Sequence, residues 1–320
     1  ANGNVTSVTP PSRPAHNFSY TPVDLVSEYT PPAVVTPSAT QYAYNRDKQL
    51  TRITRPDGKM VDYLYDQGGR ISSVSFDRGA TTYSYNASTG HLATITAPGG
   101  ESLSYSYDGH LTQSETIAGS VSAVVSRTFD SDFRVASQSV NGAAIAYTYD
   151  PDGLVTAVGP LAVTRDSASG FVTATTLGSV STTQAIDGFG EIASFTSPVL
   201  SLSFTRDRLG KIAEKRETIA GTMTTFGYTY DTAGRLSEVR QGGAVTASYA
   251  YNANGNRITS TSTGTTTATY DDQDRLLSFG ANTYSYNANG DLAGRSTTTT
   301  TTSTTTFAYD ALGNLVSVVL

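Results

Sequence analysis

Aromatic or apolar residues alternate with small or polar ones in short segments along most of the chain. The segment Tyr228–Tyr230 shows the pattern, and a cluster of turn-forming residues ends it. Alternation with a period of two places every second side chain on the same face of a β-strand. No window of eleven or more residues sustains the spacing of an amphipathic helix. The pattern therefore predicts an all-β protein built from short strands.

The alternating segments belong to a repeated unit. It reads Tyr-x-Tyr-Asp/Asn, two or three further residues, Gly, a basic or polar residue, and then Leu or Ile, as in YTYDTAGRLSEV from Tyr228 to Val239. About fourteen copies, some of them degenerate, recur at a mean spacing of about 20 residues. A unit of this length accommodates two strands and two turns but no helix. Each copy therefore predicts one β-hairpin, and the hairpins must stack because a lone hairpin is only marginally stable.

Each position of the unit has a role that follows from its residue type. The two tyrosines point to the same face of a strand, the Asp or Asn that follows bonds backbone amides of the turn, and the turn glycine supplies a positive φ. The residues predicted as structural anchors of the repeat are Tyr44, Tyr65, Asp66, Gly69, Tyr107, Tyr149, Tyr230, Asp231, Gly234, Tyr251, Tyr286, Tyr309 and Gly313.

The apolar residues after the turn leave one question open. Leu236 and Val239, like Ile71 and Val74, stand three residues apart. That spacing puts the two side chains on opposite faces of a strand unless a β-bulge intervenes. The sequence is compatible with either arrangement.

Proline and threonine mark two atypical segments. Residues 1–40 are rich in proline, which cannot donate to a β-ladder, so we expect a Pro-rich extended arm or edge cap that leads into a repeat array over residues 41–320. The threonine run from Ser296 to Thr306 is predicted to form a strand, with a mobile hairpin tip or an O-glycosylated segment as alternatives.

The composition offers little material for catalysis or ligand binding. The chain has no cysteine and only three histidines, and His91 and His110 occupy turn positions that arginine fills in other copies. The carboxylates at 130–132 and 271–274 are expected to cap turns rather than to bind Ca²⁺. We therefore predict no catalytic, cofactor-binding or metal-binding residues, no cofactor, and no enzymatic activity.

Charge excludes two classes of partner. The net charge is −6 and the basic residues are scattered, which argues against a nucleic-acid or anionic-membrane surface. The chain contains no run of 18 apolar residues, so no membrane span is predicted. Arg70, Arg235 and Arg257 come after turn glycines and are expected to pair with an aspartate of an adjacent repeat.

The Tyr-Asp-x-x-Gly-Arg-Leu unit at this spacing resembles the YD or RHS repeat family, which includes Rhs polymorphic toxins, shell subunits of insecticidal toxin complexes, and teneurins. The resemblance covers the chain from about Tyr42 to Leu320 and identifies it as a fragment of a repeat array. It implies a continuous antiparallel sheet of hairpins that spirals into a shell-like, barrel-like or solenoid structure. The sequence DPDGL at Asp150 to Leu154 is similar to a cleavage sequence of toxin-bearing members, but it occupies an ordinary turn.

The resemblance also implies a function. We expect a secreted bacterial scaffold that encloses toxin cargo or builds an extracellular surface structure. Its partners would be further copies of itself, the remainder of a larger YD shell, or the cargo. The alternatives are a filament-forming or adhesion module that binds cell-surface glycans through exposed Tyr rings, and a hydrolase that uses unrecognised carboxylates.

Overall fold

The computed structural model describes residues 2–34 and 38–320. These residues form 31 strands and no helix, and the strands belong to one antiparallel sheet. The predicted fold class, all-β with tandem hairpins in one continuous antiparallel sheet, is confirmed. In the described part of the chain, no helix meets the length and hydropathy that crossing a membrane requires.

The strands are β1 (Ser7–Val8), β2 (His16–Tyr20), β3 (Val26–Thr30), β4 (Thr40–Tyr44), β5 (Leu50–Thr54), β6 (Met60–Tyr65), β7 (Ile71–Phe76), β8 (Gly79–Tyr85), β9 (Leu92–Thr96), β10 (Ser102–Asp108), β11 (Leu111–Ala118), β12 (Ala123–Phe129), β13 (Val135–Val140), β14 (Ala143–Tyr149), β15 (Val155–Val158), β16 (Leu161–Arg165), β17 (Val172–Leu177), β18 (Val180–Ile186), β19 (Ile192–Thr196), β20 (Leu200–Arg206), β21 (Ile212–Ile219), β22 (Thr222–Tyr230), β23 (Leu236–Gln241), β24 (Ala244–Tyr251), β25 (Arg257–Thr261), β26 (Thr265–Tyr270), β27 (Leu276–Phe279), β28 (Asn282–Tyr286), β29 (Leu292–Thr298), β30 (Thr302–Tyr309) and β31 (Leu315–Val319).

Two kinds of turn alternate along the sheet. A YD turn follows each Tyr-x-Tyr strand, as at residues 66–70, and a return turn joins one repeat to the next, as at residues 55–59. Because successive strands are antiparallel, the YD turns lie at one end of the strands and the return turns at the other. We call these two rows of turns the turn edges of the sheet.

A β-bulge after the YD turn decides the open question about the apolar residues. Tyr44 is opposite Leu50 and Tyr42 is opposite Ile53, so the second strand contains one extra residue between these pairs. The same register shift occurs at Tyr65 and in most other repeats. The bulge turns the two apolar side chains to the same face, where they meet the two tyrosines.

The proline-rich segment forms part of the sheet. Residues 2–34 contain β1, β2 and β3, and Tyr29 of β3 pairs with Thr40 of β4, so the sheet crosses the expected boundary at residue 40. The structure therefore has three strands in the segment for which an extended arm or an edge cap was expected. Pro10 and Pro31 lie between strands, where no ladder hydrogen bond is required of them. Residues 35–37 of the expected arm lie outside the described residues.

The threonine run forms both of the structures that its composition favours. Its first part ends β29 at Thr298, its last part begins β30 at Thr302, and the residues between them form the hairpin tip. Paired hydroxyls, such as Ser296 with Thr304 at 3.0 Å, connect the two strands.

The chain divides into two compact units. The first comprises Ala1–Leu103, Ala250–Ser260 and Gly264–Leu320, and the second comprises Ser104–Tyr249 and Thr261–Thr263. The first unit has a small core in which Val61, Val74 and Ala311 are buried. In the second unit every residue keeps some exposure, so its strands are held by the backbone ladder and by half-buried side chains.

Candidate functional site at the turn edges

The YD turn is closed by its aspartate. The Asp66 Oδ1 atom accepts hydrogen bonds from the N–H groups of Gly68 and Arg70, both at 2.9 Å, and the Gly69 N–H donates to the Asp66 carbonyl at 3.0 Å. Gly69 has a φ of 76°, in the region that favours glycine. An Asn performs the same role in other copies because its side-chain oxygen is an equivalent acceptor, as at Asn45.

In several repeats the last tyrosine joins the repeat to the one before it. The Tyr65 hydroxyl donates to the Leu50 carbonyl at 2.7 Å, next to the bulge of the preceding hairpin. The bond therefore joins the bulged strand of one hairpin to the repeat that follows it. The anchors Tyr44, Tyr149, Tyr230 and Tyr286 donate in the same way, and so does Tyr85, which holds the same position in its repeat.

The degenerate repeats keep this bond with other donors. The Arg165 Nε atom donates to the Val155 carbonyl at 3.0 Å, and the Gln184 Nε2 atom donates to the Val172 carbonyl at 2.6 Å. The carbonyl is the equivalent one in the preceding hairpin. Two copies that lack the tyrosine in sequence therefore preserve its hydrogen bond in structure.

The remaining predicted anchors lie at the same positions of their repeats. Tyr107 stacks with Tyr105 at 6.4 Å between ring centroids, and Tyr251 ends β24. Tyr309 is opposite Leu315 in the last hairpin. Asp231 caps its turn through the Arg235 N–H at 2.9 Å. Gly234 and Gly313 have φ values of 82° and 83°.

The arginines after the turn glycines pair within their own repeats. The Arg70 guanidinium contacts Asp66 at 2.7 Å and the Arg235 guanidinium contacts Asp231 at 2.7 Å. The expected pairing with an aspartate of an adjacent repeat is wrong for both, because the turn brings residues four apart together. Arg70 reaches the next repeat differently: its guanidinium carbon lies 4.2 Å from the Tyr85 ring centroid. Arg257 lies over the Phe279 ring at 5.5 Å.

The carboxylate clusters and histidines take part in local structure. Asp130 and Asp132 both pair with Arg134 at 2.8 Å. The His16 Nδ1 atom lies 2.7 Å from the Tyr29 hydroxyl, and the two rings stack. His91 and His110 lie in turns. Across residues 2–34 and 38–320, no three side chains of the His, Cys, Asp and Glu types group so as to hold a metal ion.

The sequence DPDGL forms an ordinary YD turn. The Asp150 Oδ1 atom accepts the N–H groups of Asp152 at 3.0 Å and Leu154 at 2.8 Å, as Asp66 does in its own turn.

The most extensive contact between distant parts of the sequence is a seam inside the first unit, where YD turns of the last repeats dock on return turns of the first. Gln273 donates to the Pro32 carbonyl at 2.7 Å, Asn289 donates to Asp57 at 2.7 Å, and the Ala311 N–H donates to Asp77 at 3.0 Å. We define the seam as residues 10–13, 32, 55–59 and 77–78 on the return-turn side and residues 271–275, 287–291 and 310–314 on the YD-turn side.

Opposite charges face each other across the seam. Arg13 contacts Asp274 at 2.9 Å, and Arg78 contacts Asp310 at 3.4 Å. Arg55 binds Asp291 at 2.9 Å and also donates to the carbonyls of Asp310 and Ala311. The return turns therefore supply the positive charge and the YD turns most of the negative charge.

The seam also holds buried groups of the first unit. Ala311 is 2% exposed and Asp310 is 3% exposed. Burial acts to raise the pKa of Asp310, but hydrogen bonds from Asn314, Leu312 and Arg78 outweigh it and leave the pKa below its ordinary value. A carboxylate in this position stays charged only while those donors remain in place.

Asp77 and Lys59 form the clearest electrostatic pair. The Lys59 ammonium donates to Asp77 at 2.6 Å and lowers the pKa of that carboxyl, and the Ala311 N–H lowers it further. The same bond raises the pKa of Lys59. Titration of either group would weaken a contact of the seam.

The sequence contained a signal for the seam that the repeat pattern concealed. Lysine and arginine occur in the return turns at Arg13, Arg55, Lys59 and Arg78, whereas the return turns of the second unit, such as residues 178–179 and 242–243, consist of small neutral residues. The return turns with arginine are those that meet the aspartates of the last repeats.

Residues 1–320 match the family described as Teneurin YD-shell. The chain belongs to this family. Teneurin-3 of Danio rerio is 25% identical over 300 residues, which cover 86% of the chain and 11% of teneurin-3. The resemblance seen in the repeat motif is thereby confirmed, and the chain has the scaffold of a YD shell.

Solved toxin-complex structures share the fold of this YD-shell chain. The crystal structure of TcdB2-TccC3 without its hypervariable C-terminal region has a TM-score of 0.75 at 13% identity, covering 95% of the chain and 21% of that protein. A Photorhabdus luminescens Tc holotoxin pore with a mutant TccC3 has a TM-score of 0.69 at 14% identity, covering 92% and 19%. The chain thus spans only a small part of each relative's length.

Proposed function

We propose that this chain is one section of a secreted bacterial YD shell that encloses a toxin cargo, and that it acts as a structural scaffold and not as an enzyme. The observation that carries the proposal is the family match over residues 1–320. One structure with the same fold is a Tc holotoxin pore, which supports an extracellular setting and a link to a toxin. An extracellular surface structure is the other role consistent with the same scaffold.

The seam supports a role in enclosure. A wall that retains a cargo requires adjacent edges of the strip to be closed against each other. In this chain Arg13, Arg55 and Arg78 join two edges through side-chain and backbone contacts. The anchor tyrosines support the wall between edges, because hydroxyls such as those of Tyr44, Tyr65 and Tyr149 each tie one hairpin to the one before it.

The glycan-binding alternative requires Tyr rings that are open to solvent. The Tyr44, Tyr65 and Tyr149 side chains are half-buried, and their hydroxyls donate to carbonyls of the sheet. These rings therefore perform a structural task in the described structure. A glycan array with the purified chain tests the alternative directly.

The test of enclosure is cryo-electron microscopy of the longest natural protein that contains this chain, combined with proteinase K digestion. We expect a hollow particle with internal density and an internal segment that resists the protease. A double variant, Arg55→Glu with Arg78→Glu, should lose that protection, while Arg52→Glu, which alters an exposed pair on the sheet, should retain it. Two results would overturn enclosure. One is a continuous fibre, and the other is a particle in which the protease cleaves every segment outside this chain and leaves none protected.

A further inference from the structure

Two YD turns of the first unit have the same sequence but different surroundings. The tetrapeptide Asn-Ala-Asn-Gly occurs at residues 252–255 and again at residues 287–290. In both turns the glycine has a positive φ, 88° at Gly255 and 86° at Gly290, and its N–H donates at 3.1 Å to the carbonyl of the first asparagine. The two turns therefore present the same Asn-Gly pair in the same local geometry.

An Asn-Gly pair is chemically reactive when its backbone is free to move. The glycine nitrogen attacks the side-chain Cγ atom of the asparagine, and the new N–Cγ bond closes a five-membered succinimide ring. The Cγ–Nδ2 bond breaks, and the amide leaves as ammonia with the proton from the glycine nitrogen. Glycine favours this step because it has no Cβ atom to obstruct the approach. Water then opens the ring at either carbonyl and leaves aspartate or isoaspartate.

The seam holds Asn289 in a position that hinders this reaction. Its Nδ2 atom donates to the Asp57 carboxylate at 2.7 Å, and its Oδ1 atom accepts the Asp57 N–H at 3.2 Å. These two bonds fix the side-chain amide against the return turn, while the Gly290 N–H is occupied by the bond that closes its own turn. The reacting atoms must come within about 3–3.5 Å in the correct alignment. Succinimide formation therefore requires a local opening of the turn and of its contact with Asp57.

Asn254, at the same position of the other turn, is held by the repeat that follows it. Its Nδ2 atom donates to the two carboxylate oxygens of Asp274 at 3.1 and 2.9 Å. Opening of the contact with Asp57 frees the Asn289 amide and leaves these bonds of Asn254 in place. The two asparagines therefore form a matched pair in which Asn289 reports on the seam.

Conversion of Asn289 to a carboxylate changes the seam itself. The product lacks the Nδ2 donor and places a negative charge against the Asp57 carboxylate, where like charges repel and the acceptor loses its partner. Isoaspartate also adds a methylene group to the backbone of the turn. In either case the turn cannot return to its original contact.

We infer that Asn289 is a site of spontaneous deamidation that the closed seam protects, so that an opening of the seam is converted into a permanent change of charge. The reaction needs water and no enzyme or cofactor. The inference goes beyond the proposed function and does not depend on a cargo.

The test is peptide mapping by mass spectrometry after the 320-residue chain has been incubated at neutral pH. In urea, Asn289 and Asn254 should convert at similar rates. In the folded chain, Arg55→Ala should accelerate conversion of Asn289 by about tenfold or more, because it raises the population of the open seam, and should change Asn254 by less than about twofold. Arg52→Ala, which removes an exposed pair, is the control and should change neither rate. Equal rates at Asn289 in the folded and unfolded chain, or equal acceleration of both asparagines in Arg55→Ala, would overturn the inference.

Asn289→Asp tests the consequence for the seam without any change at Arg55. Hydrogen–deuterium exchange of residues 287–291 should become about fivefold faster or more in this variant, because the bond to Asp57 is replaced by a repulsion. Asn141→Asp is the control, since it adds the same charge to a return turn of the second unit and should leave exchange at residues 287–291 unchanged. Exchange in Asn289→Asp equal to that of the unmodified chain would also overturn the inference, while the enclosure experiment would stand unaffected.

Discussion

The left-handed position of the YD turn is the most demanding single position in the repeat. Glycine holds it in most copies, but Lys48, Phe133 and Asp274 adopt positive φ values of 64°, 62° and 58°. A residue with a Cβ atom is strained there by about 1–2 kcal/mol. Whether the strain is offset depends on what the side chain contacts.

Phe133 and Asp274 should respond in opposite ways to replacement by glycine. Phe133 is 74% exposed, so Phe133→Gly relieves strain and should stabilise the second unit by about 0.5–1 kcal/mol after the larger chain entropy of glycine is subtracted. Asp274 accepts bonds from Arg13, Asn254 and Asn256, so Asp274→Gly should destabilise the first unit.

Urea denaturation followed by tyrosine fluorescence measures both changes. The wild-type chain and Gly69→Ala, which introduces the same strain at a glycine position with a φ of 76°, are the references. A shift of both glycine variants in the same direction would contradict this account of the position.

At the scale of elements, the docked turn at residues 310–314 depends on Arg55. Its side chain is 13% exposed and binds two carbonyls and Asp291. Arg55→Ala leaves these acceptors without their charged donor and should destabilise the first unit by about 2–3 kcal/mol. Arg52→Ala removes an exposed pair with Asp62 and should cost less than about 1 kcal/mol.

Hydrogen–deuterium exchange locates the effect of Arg55. Amides of residues 310–314 should exchange faster in Arg55→Ala and unchanged in Arg52→Ala. Arg55→Lys should resemble Arg55→Ala, because an ammonium cannot reproduce the fork geometry of the guanidinium. Equal exchange in all four proteins would show that the seam does not hold this turn.

The seam should also depend on pH. The pKa of Asp77 is lowered in the folded chain, so its contribution is complete above the unfolded-state value near about 4 and is lost as pH falls through the folded value. The pKa of Lys59 is raised, so its contribution is lost only as pH rises through a value above about 10.4.

We therefore expect exchange at residues 310–314 to be slow at intermediate pH and faster under strong acid or strong base, after correction for intrinsic rates. Asp77→Asn should flatten the acid limb of this profile. An unchanged acid limb in Asp77→Asn would assign the transition to other carboxylates, such as Asp274 or Asp310.

The hairpins could be predicted from sequence because their determinants are local. Tyr65, Asp66 and Gly69 lie within five residues of one another. A segment of that length is enough to predict the strand from its alternation and the turn from its capping aspartate and its glycine. The bulge could not be predicted from the sequence. Two apolar residues three positions apart lie either on opposite faces of a strand or on one face with a bulge, and only the pairing with the partner strand decides between them. The pairing of Arg70 was mispredicted because a turn brings fourth neighbours together.

The seam could not be predicted from the repeat pattern. Arg55 and Asp291 are separated by more than two hundred residues, and which repeats meet depends on the accumulated twist and coiling of many strands. The side chains of Tyr65, Arg165 and Gln184 donate to equivalent carbonyls, and this equivalence is visible only in the folded structure. Sequence shows only that the tyrosine has been replaced.

At the scale of the whole molecule, the two units differ in what holds them. The first unit has buried residues under its docked turn, whereas the second keeps every side chain partly exposed. Deletion of residues 302–320 removes Ala311 and should uncover Val61 and Val74. Exchange should then increase in β6 and β7 and remain unchanged in β17 and β18.

The same deletion in the Arg55→Ala background provides a control, because the seam contact is already weakened and the further increase in β6 and β7 should be smaller. Increased exchange throughout both units after the deletion would contradict the division into separately stabilised parts.

The ordered pairing of Arg13 with Asp274, Arg55 with Asp291 and Arg78 with Asp310 has an evolutionary consequence. Tandem repeats are readily gained or lost by recombination. A gain or loss of one hairpin between these partners would shift every cation to the wrong acceptor by one repeat. Selection on these few side chains would therefore hold the copy number constant, even where the intervening hairpins diverge freely.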